Sequence, residues 1–174
     1  QNTSSQYFNK RQRKNTQVKY TQKIPQIIAT DNGSWNIHSK TATRVEKLNV
    51  EESLVKYCKD TNPNTKVIVI SSWMPNGQDW TASMRAANVD EYILIGECDD
   101  GSCGDNWLTW GNSEFHPDYD SIDDAHNFKT VTPPYAIDGY ARCDLEDMSK
   151  LQFSRFDSNL SSTSKTVSFR LNKL

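Results

Sequence analysis

The sequence predicts an α/β domain with a mostly parallel sheet that ends in an antiparallel hairpin, and three observations carry that prediction. Val67-Ile68-Val69-Ile70 is a continuous apolar run that stops abruptly at Ser71-Ser72-Trp73-Met74-Pro75-Asn76-Gly77, and Tyr92-Ile93-Leu94-Ile95 is a second run that stops at Gly96-Glu97. Apolar runs without alternation are how parallel strands buried on both faces read. The stretch between them, Trp80 to Ala87, has the length of a short helix, which a parallel pair needs as its crossover. At the end of the chain, Leu151 to Phe156 and Thr166 to Leu171 flank a Ser-rich stretch and read as an antiparallel pair.

The elements follow in order. Gln26 to Thr30 is a short apolar strand that stops at the turn Asp31-Asn32-Gly33. A polar loop runs to about Thr43, and Arg44-Val45-Glu46 is a brief strand. Asn49 precedes Val50-Glu51-Glu52, a capping-box pattern in which the amide side chain accepts backbone N–H bonds and the acids face the positive helix end. Val50, Leu54, Tyr57 and Cys58 recur at helical spacing, so a helix spans about Val50 to Lys59 and ends at Asn62-Pro63-Asn64. Lys66 to Ser71 is the next strand, Asp79 starts the helix Trp80 to Ala87, and Glu91 to Ile95 is the following strand. From Cys98 to Pro134 there is little periodicity and much turn chemistry, including Gly101, Gly104, Gly111 and Pro133-Pro134. Loops of that length in a compact domain carry function or lack fixed structure.

With 174 residues the chain has room for one ordinary domain. A hydrophobic fraction of 35% is low for a compact globule, and so is a mean hydropathy of −0.78. The deficit is concentrated in residues 1–24, read as a basic arm, which leaves 25–174 as the folded domain. Gln1 to Lys23 contains no acid but carries Lys10, Arg11, Arg13, Lys14, Lys19 and Lys23, whereas Ala86 to Phe128 contains no Lys or Arg. The net charge of −2 conceals this asymmetry. A basic arm attracts polyanions through counterion release, or grips an acidic surface of another protein. Lys10, Arg11, Arg13, Lys14 and Lys19 are therefore candidates for contacting DNA, RNA or a partner subunit, and the run Lys10 to Lys14 also fits a nuclear targeting signal.

Four cysteines, Cys58, Cys98, Cys103 and Cys143, are too few and too irregular for a disulfide scaffold, which predicts reduced thiols in a nuclear or cytoplasmic protein. No apolar stretch approaches the ~20 residues of a membrane span, so no membrane is expected as a partner. Cys98 and Cys103, with His116 or His126, have half of a zinc-site spacing but no second pair; a tight Gly turn after a strand explains them more simply. His116-Pro117-Asp118-Tyr119-Asp120 with Asp123 and Asp124 lacks the Gly and terminal Glu of a calcium loop and reads as a solvated acidic loop. Ser71 and Ser72 end a buried strand, yet no G-x-S-x-G elbow surrounds them.

Several of these segments together carry a resemblance. Ser72-Trp73-Met74-Pro75-Asn76-Gly77-Gln78-Asp79-Trp80-Thr81, Glu91 to Glu97, Gly101, Cys103-Gly104 and Trp107 resemble a methyltransferase-like group of fungi and protists within the Rossmann-like S-adenosylmethionine-dependent methyltransferases. Pro133-Pro134-Tyr135, Asp138-Gly139-Tyr140, Asp144-Leu145 and Ser154-Arg155 fit the same group, so that the resemblance covers roughly Ile27 to Arg170. It implies that Ile27 to Thr30 is the second strand of such a fold, with Asp31 as the strand-end acid that holds the cofactor ribose. Lys66 to Ser71 is then the fourth strand. There amine methyltransferases carry Asp or Asn, two prolines and an aromatic, whereas this chain has Ser72-Trp73-Met74-Pro75. A cofactor-binding member also needs a first strand followed by a Gly-rich turn, and no Gly precedes Gly33 in this sequence.

The resulting expectation is a catalytically silent methyltransferase-like subunit of a nucleic-acid-modifying assembly that needs no cofactor. Trp73, Trp80, Trp107 and Trp110 would serve as interface anchors. The alternatives are an active S-adenosylmethionine-dependent enzyme whose first strand lies outside the chain, with Asp31 on the ribose and Ser72 to Pro75 facing the substrate, and a stand-alone nucleic-acid-binding module.

Overall fold

The computed structural model describes residues 25–34, 45–59, 62, 64–98, 101–119, 131–152 and 164–173. The arm residues Lys10, Arg11, Arg13, Lys14 and Lys19 lie outside these. The described chain is mixed α/β, with two open sheets. Strands β1 (Ala29–Asp31) and β2 (Val45–Lys47) form a parallel pair. Helix α1 (Val50–Cys58) follows at once, and its start is the capping box read from the sequence: Glu52 N donates to Asn49 Oδ1 at 2.8 Å, and Asn49 N donates to Glu52 Oε2 at 2.9 Å. Lys56 and the Tyr57 hydroxyl both reach Glu46, at 2.5 and 2.6 Å, and so hold β2 against the helix.

The larger sheet has the order β3 (Ile68–Ser72), β4 (Glu91–Glu97), β6 (Ser164–Leu171), β5 (Tyr140–Asp144). β3 and β4 are parallel and joined by α2 (Thr81–Ala86), the strand-helix-strand unit that the two apolar runs predict. β6 runs antiparallel to both β4 and β5. Two short helices, α3 (Pro134–Ile137) and α4 (Glu146–Ser149), flank β5.

The chain-terminal hairpin therefore differs from the expectation. β6 pairs with Tyr140–Asp144, while Leu151 and Gln152 lie in the turn after α4 and residues 153–156 fall outside the described set. The physical reason is Tyr140: it is 2% exposed, its ring lies 5.3 Å from that of Tyr92, and its hydroxyl donates to the Val89 carbonyl at 2.7 Å. A strand containing Tyr140 thus buries an aromatic that Leu151, 75% exposed, does not match. Parallel pairing is confined to β1–β2 and β3–β4, and the four-stranded sheet is mixed.

Register assigns the core. Val69, Tyr92, Phe169 and Arg142 are cross-strand neighbours and share one face of the sheet. On that face Tyr92 stacks on Phe169 at 4.7 Å with an 11° interplanar angle, and Tyr135 meets Phe169 edge-on at 5.0 Å. Met84 of α2, Val89 and Leu54 of α1 complete the same cluster. The other face carries Ile70, Ile93, Ser168 and Cys143. Ile68 and Ile70 are 47% and 66% exposed there, so β3 is half-buried rather than covered on both sides. Its outer edge pairs with no strand among the described residues.

Candidate functional site

In an open parallel arrangement, ligands sit beyond the carboxyl ends of the strands. For β3 and β4 that position is taken by two loops of this chain. Leaving β3, the backbone turns at Trp73, whose φ of 54° is left-handed and costly for a bulky side chain. The turn is held by Trp73 N donating to the Ile95 carbonyl at 2.8 Å. It directs Met74 inward, where it is 4% exposed.

The loop after β4 folds back over this turn. Gly104 N donates to the Met74 carbonyl at 3.1 Å and Gly77 N to the Gly104 carbonyl at 2.9 Å, a two-rung backbone ladder between the loops. Gly96, with φ of 156°, allows the approach: a Cβ there would lie 2.8 Å from Cys103 Sγ. Trp110, 1% exposed, donates from Nε1 to the Cys103 carbonyl at 2.5 Å. The fully buried Thr109 hydroxyl lies 3.1 Å from Asp79 Oδ1 and 3.2 Å from the Gln78 carbonyl. Asp79 also accepts from Thr81 N at 3.0 Å, which starts α2 as the sequence predicts.

Beside this plug lies a charged knot that the sequence did not reveal. Arg85, with its side chain 5% exposed, donates from Nε to Asp138 at 2.7 Å and from Nη1 to the Thr81 hydroxyl at 2.5 Å, with Asp79 at 3.8 Å. Burial lowers the Arg85 pKa, and the Asp138 bond with the neighbouring Tyr92 and Asp79 more than reverses this, so the guanidinium stays charged. Burial also pushes the Tyr92 phenol well above its ordinary range.

The predicted site residues distribute as follows. Ser72 is exposed at the end of β3, Trp73 is half-buried, Met74 is core and Pro75 is exposed. Among the tryptophans, Trp110 and Trp107 are buried, and Trp107 meets His116 edge-on at 4.7 Å. Trp73 and Trp80 keep accessible surface at the rim, with Leu108 and Phe115 exposed in the loop that follows β4. Asp31 stands exposed at the end of β1, its Oδ1 accepting from Gly33 N at 2.6 Å. All four cysteines are free thiols, and no group of metal-ligating side chains is gathered among the described residues. No helix among them is long and apolar enough to cross a membrane.

No family model, curated protein or solved structure matches this chain.

Two concavities open at the opposite, amino-terminal ends of β3 and β4. One, of 430 Å³, is lined by Asn64, Thr65, Lys66, Asp90, Arg170 and Lys173 among others. The other, of 160 Å³, shares Thr65, Asp90 and Lys173 with it. Sequence reasoning missed both, because their residues come from three separate stretches. The only local signal is the basic spacing of Arg170 and Lys173.

Proposed function

We propose that this chain is a methyltransferase-like α/β domain that does not hold S-adenosylmethionine by itself and acts as a subunit of a larger assembly that modifies nucleic acid. The filling of the strand ends carries this reading. Met74, Thr109 and Trp110 occupy the ground beyond β3 and β4 where a nucleoside cofactor and its substrate would meet, and a backbone ladder fastens them there. Strand order adds support. A doubly wound sheet of order 3-2-1-4-5-6 leaves 3-2 and 4-5 as separate parallel pairs when strand 1 is removed. The pairs β2–β1 and β3–β4 have that connectivity.

The link to nucleic acid comes from Lys10, Arg11, Arg13, Lys14 and Lys19, and the half-buried Trp73 and Trp80 are the aromatic anchors offered to another subunit. Calorimetry with S-adenosylmethionine on this chain tests the reading. No heat is expected at millimolar ligand, and micromolar binding overturns it.

One observation favours the active alternative: Asp31 is exposed at the carboxyl end of a parallel strand, where a ribose-binding acid belongs. That reading requires measurable binding of the cofactor that Asp31→Ala weakens.

A further inference from the structure

The 430 Å³ concavity brings together three cations from distant parts of the sequence: Lys66 before β3, Arg170 near the end of β6, and Lys173. Each is anchored from behind by a carboxylate far less exposed than itself. Lys66 Nζ donates to Glu91 Oε2 at 2.9 Å, and Arg170 Nε to Glu91 Oε1 at 3.0 Å. Lys173 pairs with Asp90. The Glu91 and Asp90 side chains are 8% and 13% exposed, against 60%, 55% and 68% for Lys66, Arg170 and Lys173.

These anchors do not exhaust the donors. Each ammonium has three N–H groups and the guanidinium five, and a single ring of contacts to the two acids leaves most of them unbonded. The terminal guanidinium nitrogens of Arg170 carry no hydrogen bond among the described residues and present the planar fork that fits a tetrahedral oxyanion. Asn64 and Thr65 add uncharged polar groups to the same wall. Leu171 is the one apolar residue lining it, and every other lining residue carries a polar or charged group.

We propose that this concavity is a binding site for the phosphate group of a phosphate ester, with Arg170, Lys66 and Lys173 as its ligating cations. The adjoining hollow of 160 Å³, which shares Thr65, Asp90 and Lys173, receives the group that the phosphate is attached to. The site lies at the opposite end of the strands from the plugged edge and does not rest on the methyltransferase-like reading. It stands or falls without it.

Calorimetry and amide chemical-shift mapping of the full chain with inorganic phosphate, and separately with a ten-nucleotide thymidine oligonucleotide, test the proposal. Phosphate is expected to bind with Kd below about 10 mM and to move amides of residues 64–66 and 170–173. Arg170→Lys keeps a cation on Glu91 but removes the fork, and Lys173→Ala removes an exposed charge. Each should weaken phosphate binding about tenfold. Lys150→Ala, an exposed lysine just after α4, should leave it unchanged. If the oligonucleotide loses affinity in the same two variants, the phosphate recognised is that of a nucleic-acid backbone. If only inorganic phosphate does, the ligand is a small ester. Either pattern supports the site. Absence of phosphate binding, or binding that neither variant alters, overturns it.

Discussion

Arg85 and Asp138, 53 positions apart, share a 2.7 Å hydrogen bond that ties α2 to the turn between α3 and β5. The same guanidinium holds Thr81 and faces Asp79, so one buried side chain connects the helix between the parallel strands to the antiparallel half of the sheet. Arg85→Met leaves Asp79, whose side chain is 11% exposed, without its counter-charge. Breaking one partner of a buried pair costs about 3–5 kcal/mol. Urea denaturation should register that loss, and adding Asp79→Asn should recover part of it.

Glu91 gives the fold a dependence on acid. Burial pushes its carboxyl up from 4.5, while bonds from Ser168, Lys66 and Arg170 outweigh that and hold it at about 2. A carboxyl whose folded pKa lies below its unfolded one stabilises the fold fully above the unfolded value and loses that contribution as pH falls toward the folded one. Stability should therefore decline between about pH 4.5 and pH 2, with Glu91 supplying on the order of 3 kcal/mol of the change. Denaturant midpoints measured across that window should show a shallower slope in Glu91→Gln.

The stacked pair Tyr92 and Phe169 sits at the centre of the core, both rings fully buried. Phe169→Ala should cost about 3–5 kcal/mol, the usual range for removing a buried aromatic ring. For a domain with marginal stability this is enough to leave a large unfolded fraction by circular dichroism.

Helix α2 ends in a Schellman arrangement: Val89 N reaches the Met84 carbonyl at 3.4 Å and Asn88 N the Arg85 carbonyl at 2.9 Å, with Asn88 at φ of 51°. Asn88 is exposed, so Asn88→Gly relieves the left-handed backbone without a packing loss and should stabilise by up to about 1 kcal/mol. Asn88→Val should destabilise by about 1–2 kcal/mol in the same thermal melts.

The plug over the strand ends should open when Trp110 loses its indole N–H. Trp110→Phe keeps an aromatic ring but removes the buried hydrogen bond to the Cys103 carbonyl, at a cost of about 1–3 kcal/mol. Limited proteolysis should then cut within residues 101–111 faster than in the parent chain. An unchanged rate would mean that the backbone ladder through Gly104 holds the loop unaided.

What could be read from the sequence was the locally encoded part. The helix cap joins Asn49 and Glu52, three positions apart, and formed as expected. The strand-helix-strand unit from Ile68 to Glu97 was visible because its apolar runs end sharply at polar, Pro and Gly residues. β5 escaped because Tyr140-Ala141-Arg142-Cys143-Asp144 shows one large apolar residue and two charges, and its place is set by partners on β6 and by Tyr92. The plug escaped for the same reason. Thr109 meets Gln78 and Asp79 across 31 and 30 positions, a distance that no periodicity reports. The cationic concavity draws on residues 64–66, 90 and 170–173, so only folding brings it together.

β3 has a consequence at the bench. Ile68 to Ser72 contains neither proline nor any charged residue, the usual guards against intermolecular zippering, and two of its isoleucines face water. Left bare, such a rim is adhesive toward any extended peptide, including the same five residues of another molecule. Concentrated preparations should thus thicken into ordered aggregates, and Ile70→Lys should keep them clear.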